Sequence, residues 1–455
     1  MYIINLDSVD GQTPGVGMKA NSLGLLAKAG FMTPKGFVVT AEAFEKFLTD
    51  TGIRLLLPRI LEGVNPDEPR TVFQASMQVR ELFSRYSGND FIIRELRDAY
   101  NELSFGKDVS IAGGAALDLI RAGRGDCFVS IRPSIVCPQE ELRGVGFPGH
   151  GKAVLNQISS RQILAAVKEC WLSVFSPESI LYRKLHGIWQ FSLAVIVQKM
   201  VDSELSGTLF TQEPVSGGGN ILVEGFWGLG ETLCCGCLSP DQYMIGKGGS
   251  LVSKKVGKKM WLRRRGPLSG QTIQEKVPLS RVHMETLGER DFQKFAEIAK
   301  TVEGIFKAPQ EMEWCVERGR IVITQARPMV FSKTQAAPFE GERIAAGIGV
   351  SSGTAKGKAI SFSEISAIRK PAEPSILVTK TLGMEILPYL KWFSGIVSEQ
   401  GGAGSCMASI GRELGIPMVC GIENAGIILA GKRIMVDGLT GFVHALPPVQ
   451  ENPGL

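Results

Sequence analysis

The sequence predicts an α/β (α+β) protein in two parts, a large domain over residues 1–330 and a small one over 346–448. Three observations carry this. Short apolar strands alternate with amphipathic helices through the first part. A polar stretch at 331–345, with Lys333, Gln335 and Pro338, breaks the apolar pattern as a linker would. Beyond it, the glycine-rich "GIGVSSGTAKGKAI" opens a second set of short strands around one amphipathic helix.

The elements follow in order. "GFVVTAEAFEKFL" at 36–48 reads as a buried strand and then a helix, with Thr40 at the N-cap and Ala43, Phe44, Phe47 and Leu48 on one face. "CFVSIRP", "LAVIVQKMV", "SGTLFTQEP" and "NILVEGFWG" read as strands separated by glycine and proline signals. Between the first two lies a helix, "ISSRQILAAVKECWLSVF", whose start has the form of a capping box with Ser159 as cap and Gln162 three residues on. The basic stretch "KKVGKKMWLRRR" at 254–265 reads as a solvated hairpin, not a nucleic-acid patch. A helix over 290–305 precedes "EMEWCVERGRIVITQARP" at 311–328, two strands turning at "ERGR". In the small domain "SILVTKTL", "FSGIVSEQGG", "PMVCGI" and "RIMVDGLTGFVHAL" are strands. "SCMASIGRELG" is a helix closed by Gly415, and 449–455 is a tail.

Apolar content of 44%, charged content of 21% and a net charge of +5 exclude a disordered or fibrous chain. The nine cysteines are an odd number without a regular framework, and no secretory leader is recognised, which predicts a reduced, cytoplasmic setting. "CCGC" at 234–237 lacks a second half with metal-ligand spacing and reads as buried small residues. No apolar run reaches the roughly 20 residues that cross a bilayer, so no membrane is expected.

Several polar residues stand where apolar strands end. Lys19, in "GVGMKANSLG", has flexible glycines beside it that let a lysine reach phosphates. Arg132 is expected to leave its strand directly into a loop and fork two phosphate oxygens. Glu313 and Gln325 offer hard oxygen ligands for magnesium, and Arg327 shares the face of Gln325 two residues on. The segment "SEQGGAGSCMASIGRELGIP" at 398–417 feeds a glycine-rich turn into a helix N-terminus, a natural place for a phosphoryl group. Ser405 and Cys406 are the side chains there that could carry one.

These motifs, in this order, resemble the phosphoenolpyruvate synthase, pyruvate phosphate dikinase and rifampicin phosphotransferase family. "KANSLGLLAKAGFMTPKGFVVTAEAF" is similar to that family's opening segment, and "QKMVDSELSGTLFTQEPVSG" with "WGLGE" to its nucleotide-binding core. "EMEWCVERGRIVITQARP" resembles the end of its ATP-grasp-like domain, and the segments from "ILVTK" to "VDGLTGFV" its mobile phosphohistidine domain. The resemblance implies an ATP-grasp-like domain followed by a swivelling β/β/α domain. It places Lys19, Arg132, Gln198, Glu313, Gln325 and Arg327 on ATP-binding positions, with magnesium on Glu313 and Gln325. Gly149, in "GFPGHG", falls near the family's glycine loop over the phosphates, and Glu231, in "GLGE", lines the same cleft.

The departures are as informative. The family reads Arg-Ser-Ser where this chain has Arg132-Pro133-Ser134. At the position of the family's phosphorylated histidine stands Cys406, with "RELGIP" in register downstream. The four histidines, His150, His186, His283 and His444, all lie outside this loop. The large acceptor-binding domain of pyruvate- or drug-acting members is not recognised in the sequence. One reading is therefore a dikinase-type phosphotransferase that uses Cys406 as relay, since a thiolate at a helix N-terminus is a strong nucleophile. A second is an ATP-dependent synthetase or ligase that activates its substrate without a covalent relay. A third is a degenerate nucleotide-binding protein in which Cys406 is merely buried. The expected partners are ATP, magnesium and a small-molecule or protein-bound acceptor, with a homodimer a possibility from the family and no nucleic acid.

Overall fold

The computed structural model describes residues 1–86, 91–106, 126–137, 146–188, 190–267, 270–332, 341–362 and 367–447. The residues that signalled the linker, Lys333, Gln335 and Pro338, lie outside these, as does the 449–455 tail. Two compact units divide the chain. One comprises Met1–Ser206, Arg263–Glu275 and Met312–Arg327, the other Gly207–Leu262, Lys276–Glu311 and Pro328–Leu455. The mixed α/β class expected from the sequence is the class observed. No helix among the described residues is long and apolar enough to cross a membrane.

In the first unit, β1 (Ile3–Asn5), α1 (Gly17–Lys28) and β2 (Gly36–Val39) are followed by α2 (Ala41–Asp50), α3 (Ile53–Glu62), α4 (Pro69–Ser84) and α5 (Ile93–Phe105). Next come β3 (Val129–Val136), β4 (Val154–Gln157), α6 (Ser160–Ser173), α7 (Pro177–Leu185) and β5 (Ser192–Lys199). The five strands form one sheet in the order β1-β2-β5-β3-β4, antiparallel at each pairing. The apolar face of α2 is buried as its spacing requires. Phe44 and Phe47 lie 5.8 and 5.1 Å from the ring of Trp171 on α6. Each large side chain so buried contributes about 1.5–3 kcal/mol. Thr40 is the N-cap by position, but its hydroxyl donates to Met1 O instead of capping the helix. Ser159 does cap α6, accepting from Gln162 N, while Gln162 Oε1 reaches back to Ile158 N.

Arg132 does not leave its strand as expected. β3 runs on through Pro133 to Val136, pairing with β5 from Val129↔Lys199 to Val136↔Ser192. On its other edge β3 pairs with β4 only as far as Ile131, so Pro133 sits where no ladder donor is required of it. Arg132 therefore projects from a rigid strand, not from a loop.

The chain continues with β6 (Leu205–Phe210), β7 (Ile221–Trp227), α8 (Glu231–Cys234), β8 (Asp241–Ile245) and β9 (Leu251–Lys255). β10 (Trp261–Arg265), β11 (Thr272–Lys276), α9 (Leu279–Val282) and α10 (Glu289–Phe306) lead to the last pair, β12 (Gln310–Glu317) and β13 (Arg320–Pro328). β6, β7, β8 and β9 are successive neighbours in a sheet, and β12 and β13 are neighbours as expected. The basic stretch at 254–265 is not one hairpin: β9 pairs with β8, whereas β10 pairs with β11. The residues between them fold onto Asp241, which accepts from Gly257 N and pairs with Lys259. Lys259 is fully buried, so that lysine is not solvated. Cys235 is half-buried and Cys237 exposed, which corrects their reading as buried small residues.

The second unit ends in an eight-stranded sheet. Its strands are β14 (Arg343–Ala346), β15 (Ile348–Ser351), β16 (Thr354–Ser361), β17 (Ser375–Thr379), β18 (Gly395–Ser398), β19 (Met418–Cys420), β20 (Arg433–Asp437) and β21 (Phe442–Ala445). Their order is β14-β21-β20-β16-β17-β18-β19-β15. The central strands β16 to β19 are parallel and the outer pairings antiparallel. α11 (Cys406–Leu414) is the crossover between β18 and β19, stopped by Gly415 in the left-handed conformation at φ 70°. The short α12 (Ala425–Ile428) helps cover a core of Ile376, Val378, Val397, Val419, Ile434 and Val436. The loop ahead of α11 leaves the carboxyl end of a parallel strand, where α/β sheets commonly place ligands.

Candidate functional site

In the first unit the site grows from one face of β3. Ser130, Arg132 and Ser134 alternate onto the same side of the strand, and Ser130 stands opposite Gln198 of β5. α1 packs on this face through Gly17. A Cβ at Gly17 would meet Ser134 Oγ and, at 2.7 Å, Ile135 O, and its φ of +76° also favours glycine. Ser134 Oγ accepts from Ala20 N, so the serine of Arg-Pro-Ser seats the helix that carries Lys19.

Arg132 is the hub. Its Nη1 donates to Thr324 O at 2.9 Å, and its Nη2 donates to Gln325 Oε1 at 2.8 Å and to Glu313 Oε2. β12 and β13 thus bring to one guanidinium the two oxygens expected to hold magnesium. Burial would raise the Glu313 carboxyl, but Arg132 more than offsets this with help from Lys19 and Arg327, leaving it below its ordinary value. Arg327 in turn donates to Gly146 O at 3.3 Å, tying β13 to the "GFPGHG" segment that contains Gly149 at φ 65°. The charge of Lys19 also reaches His150 beside Gly149. Burial, with Arg183 and then Lys19, holds that imidazole well below its usual value, so it is neutral at pH 7. Gln198 is buried, and its Oε1 has no hydrogen-bond partner among the described residues.

Seven of the expected residues therefore belong to the first unit: Lys19, Arg132, Gly149, Gln198, Glu313, Gln325 and Arg327. Contacts and charge link Lys19, Arg132, Glu313, Gln325 and Arg327 directly. Glu231 and Cys406 belong to the second unit. Glu231 is exposed at the first position of α8. Cys406 is half-buried at the first position of α11, behind Ser405, whose Oγ accepts from Ala408 N.

Sequence reasoning missed what holds the Cys406 loop. Glu224 of β7 is fully buried and accepts from Ala403 N and Gly404 N, both at 2.8 Å. Arg412 of α11 is equally buried and donates to Ala403 O, Val350 O and Val330 O, each at 3.0 Å. One signal was available: a lone glutamate within "ILVEGFW", otherwise a buried strand, must find donors somewhere.

Residues 13–344 match the family described as pyruvate phosphate dikinase, AMP/ATP-binding domain, and residues 371–441 the one described as PEP-utilising enzyme, mobile domain. The chain belongs to the phosphoenolpyruvate synthase and pyruvate phosphate dikinase family. Among its relatives, a probable phosphoenolpyruvate synthase of Methanothermobacter thermautotrophicus is 31% identical over 94% of this chain and 61% of its own length. A probable phosphoenolpyruvate synthase of Archaeoglobus fulgidus is 31% identical over 98% of this chain and 58% of its own. The phosphoenolpyruvate synthase of Pyrococcus furiosus is 30% identical over 95% and 57%. The chain thus spans about three fifths of the length of these relatives. A solved structure titled "N-terminal domain of Enzyme 1 - Nitrogen" aligns with 17% of the chain and 33% of its own, at 31% identity and a TM-score of 0.16.

Proposed function

We propose that this protein is an ATP-dependent phosphotransferase of the dikinase type, with Cys406 as the carrier of the phosphoryl group. The observation that carries the ATP-binding half of this reading is the convergence of Arg132, Glu313 and Gln325, in the field of Lys19 and Arg327. Two cations whose charges both reach Glu313, with a fork-shaped third, suit a triphosphate.

The oxygens of Glu313 and Gln325 lie within reach of one Nη2 atom, a donor set that fits magnesium, which takes one or two protein oxygens and fills its shell with phosphate and water. Bound there, the ion would neutralise phosphate charge. Arg132 then turns from Glu313 to the phosphates, and Lys19 and Arg327 add their charge to the triphosphate's binding. Gln198 offers its buried amide to the nucleotide. Gly149 lets the "GFPGHG" backbone approach the phosphates.

In the transfer step Cys406 Sγ, as thiolate, forms a bond to the β-phosphorus while the bond from that phosphorus to AMP breaks, AMP keeping the electron pair. Water takes the γ-phosphoryl group as inorganic phosphate, and an acceptor later takes the β-phosphoryl group from sulfur. Phosphoenolpyruvate synthases are the named relatives, so a small carboxylate is a reasonable first acceptor to try. Intact mass after incubation with Mg–ATP tests the proposal, under neutral, rapid handling and with nucleotide products read from the same tube. One phosphoryl group on wild type and none on Cys406→Ala, together with AMP, is the expected result. AMP or ADP formed without an adduct, and only with an acceptor present, would replace the relay by direct transfer.

A further inference from the structure

We propose that Glu224 is the positioning residue for the Cys406 loop, its carboxylate seated in the loop's backbone N–H nest where a phosphoryl group would otherwise be held. The inference rests on the reading that this loop carries the phosphoryl group.

A fully buried carboxylate is costly unless every lone pair finds a donor. Glu224 meets that demand with four. Oε1 accepts from Ala403 N and from Gln242 Nε2, each at 2.8 Å. Oε2 accepts from Gly404 N at 2.8 Å and from Thr208 Oγ1 at 3.0 Å. All four donors are neutral dipoles, so the charge is held much as a loop holds a bound anion. Burial pushes this carboxyl above its ordinary value against the pull of those hydrogen bonds.

Half of the set comes from the loop, and the loop is built for it. A Cβ at Gly404 would lie 2.6 Å from Thr208 Cγ2 and 2.9 Å from Glu224 Oε2. One at Gly402 would lie 2.6 Å from Glu224 Oε1 and 2.8 Å from Pro240 Cγ. Only glycine permits this approach at either position. The remaining ties reinforce it: Gly401 N donates to Leu238 O at 3.1 Å, and Arg412 grips Ala403 O. Ala403 is therefore held by a buried anion at its N–H and a buried cation at its carbonyl, three residues ahead of the thiol.

Two successive N–H groups of a glycine turn at a helix start form the kind of cradle that receives phosphate. Here they are already filled. Glu224 thus holds the unloaded loop, and a doubly charged phosphoryl group arriving on Cys406 competes with it for the same donors.

Backbone hydrogen exchange of the 401–404 segment, without nucleotide, tests the assignment in wild type, Glu224→Gln, Glu224→Ala and Gly404→Ala. Exchange should rise about tenfold or more in Glu224→Ala and Gly404→Ala, and less in Glu224→Gln, whose amide oxygen still accepts one N–H. The amides of β20 and β21 should stay protected, which establishes that the small domain remains folded in each variant. AMP formation by Glu224→Ala should fall in kcat with the KM for ATP unchanged. Unaltered exchange at 401–404 in both alanine variants would overturn the assignment whatever the turnover does. If wild type forms neither adduct nor AMP, the proposed function fails on its own, and the exchange result still decides whether Glu224 holds the loop.

Discussion

A single guanidinium organises the first unit's polar cluster. Arg132 reaches Thr324 O with one nitrogen while the other serves Glu313 and Gln325, a fork that a lysine's point charge cannot reproduce. Arg132→Lys should lower ATP turnover by about 100-fold or more while the protein stays folded, as steady-state AMP release and circular dichroism would record. Glu313→Ala should lose magnesium-dependent turnover; full activity in that variant would overturn the site. The pH dependence follows from the depressed Glu313 carboxyl. Its folded value lies below the unfolded 4.5, so its contribution to stability is complete above 4.5 and is lost as pH falls through the folded value. Denaturation free energies of wild type and Glu313→Gln should therefore differ by a constant amount above that range and converge below it.

At the scale of elements, close packing decides more than propensity. α1 meets β3 at Gly17, where any side chain would collide with Ser134 and Ile135. Gly17→Ala should cost about 1–3 kcal/mol in urea unfolding, from both the collision and the positive φ. In the second unit Asp241 of β8 joins three segments: it accepts from Gly257 N, pairs with Lys259, and takes Thr286 N and Oγ1, both at 2.9 Å. Lys259→Ala leaves that buried carboxylate without its cation, and should lower stability by about 3–5 kcal/mol in the same assay. The same pairing explains why the basic stretch did not fold as the hairpin its sequence implied. A lysine run looks solvated when counted by charge, yet one of its members finds a buried aspartate.

For the whole molecule, binding should show as linkage. Saturating Mg–ATP at about 100 times its Kd should stabilise the folded chain by about 2.7 kcal/mol, read as a rise in Tm. Chelating divalent cations should abolish AMP formation while the apo Tm stays where it was, because these core clusters of the two units are made of apolar side chains. Residues 13–344 and 371–441 of this chain match two families in succession, and the chain spans about three fifths of the length of its relatives. Supplying small carboxylates one at a time to the phosphoryl-loaded chain, and following loss of the adduct by mass, is the direct search for an acceptor.

Much of this was legible along the chain. The strand–helix alternation and the helix closed by Gly415 follow from local periodicity and glycine placement, which act over a few residues. The face shared by Gln325 and Arg327 follows from the two-residue repeat of a strand. The gathering of Arg132 with Glu313, 181 positions away, was visible only through resemblance, because no local rule spans that distance. Resemblance also named the Cys406 loop but not what holds it. Glu224 stands 179 and 180 positions before the amides it binds, and Arg412 looks like any helix-end cation until it is found buried. Short-range physics is written residue by residue in the sequence. The pairing of buried charges with distant donors is settled only when the strands and loops that carry them close together, since burial itself is what makes those partners necessary.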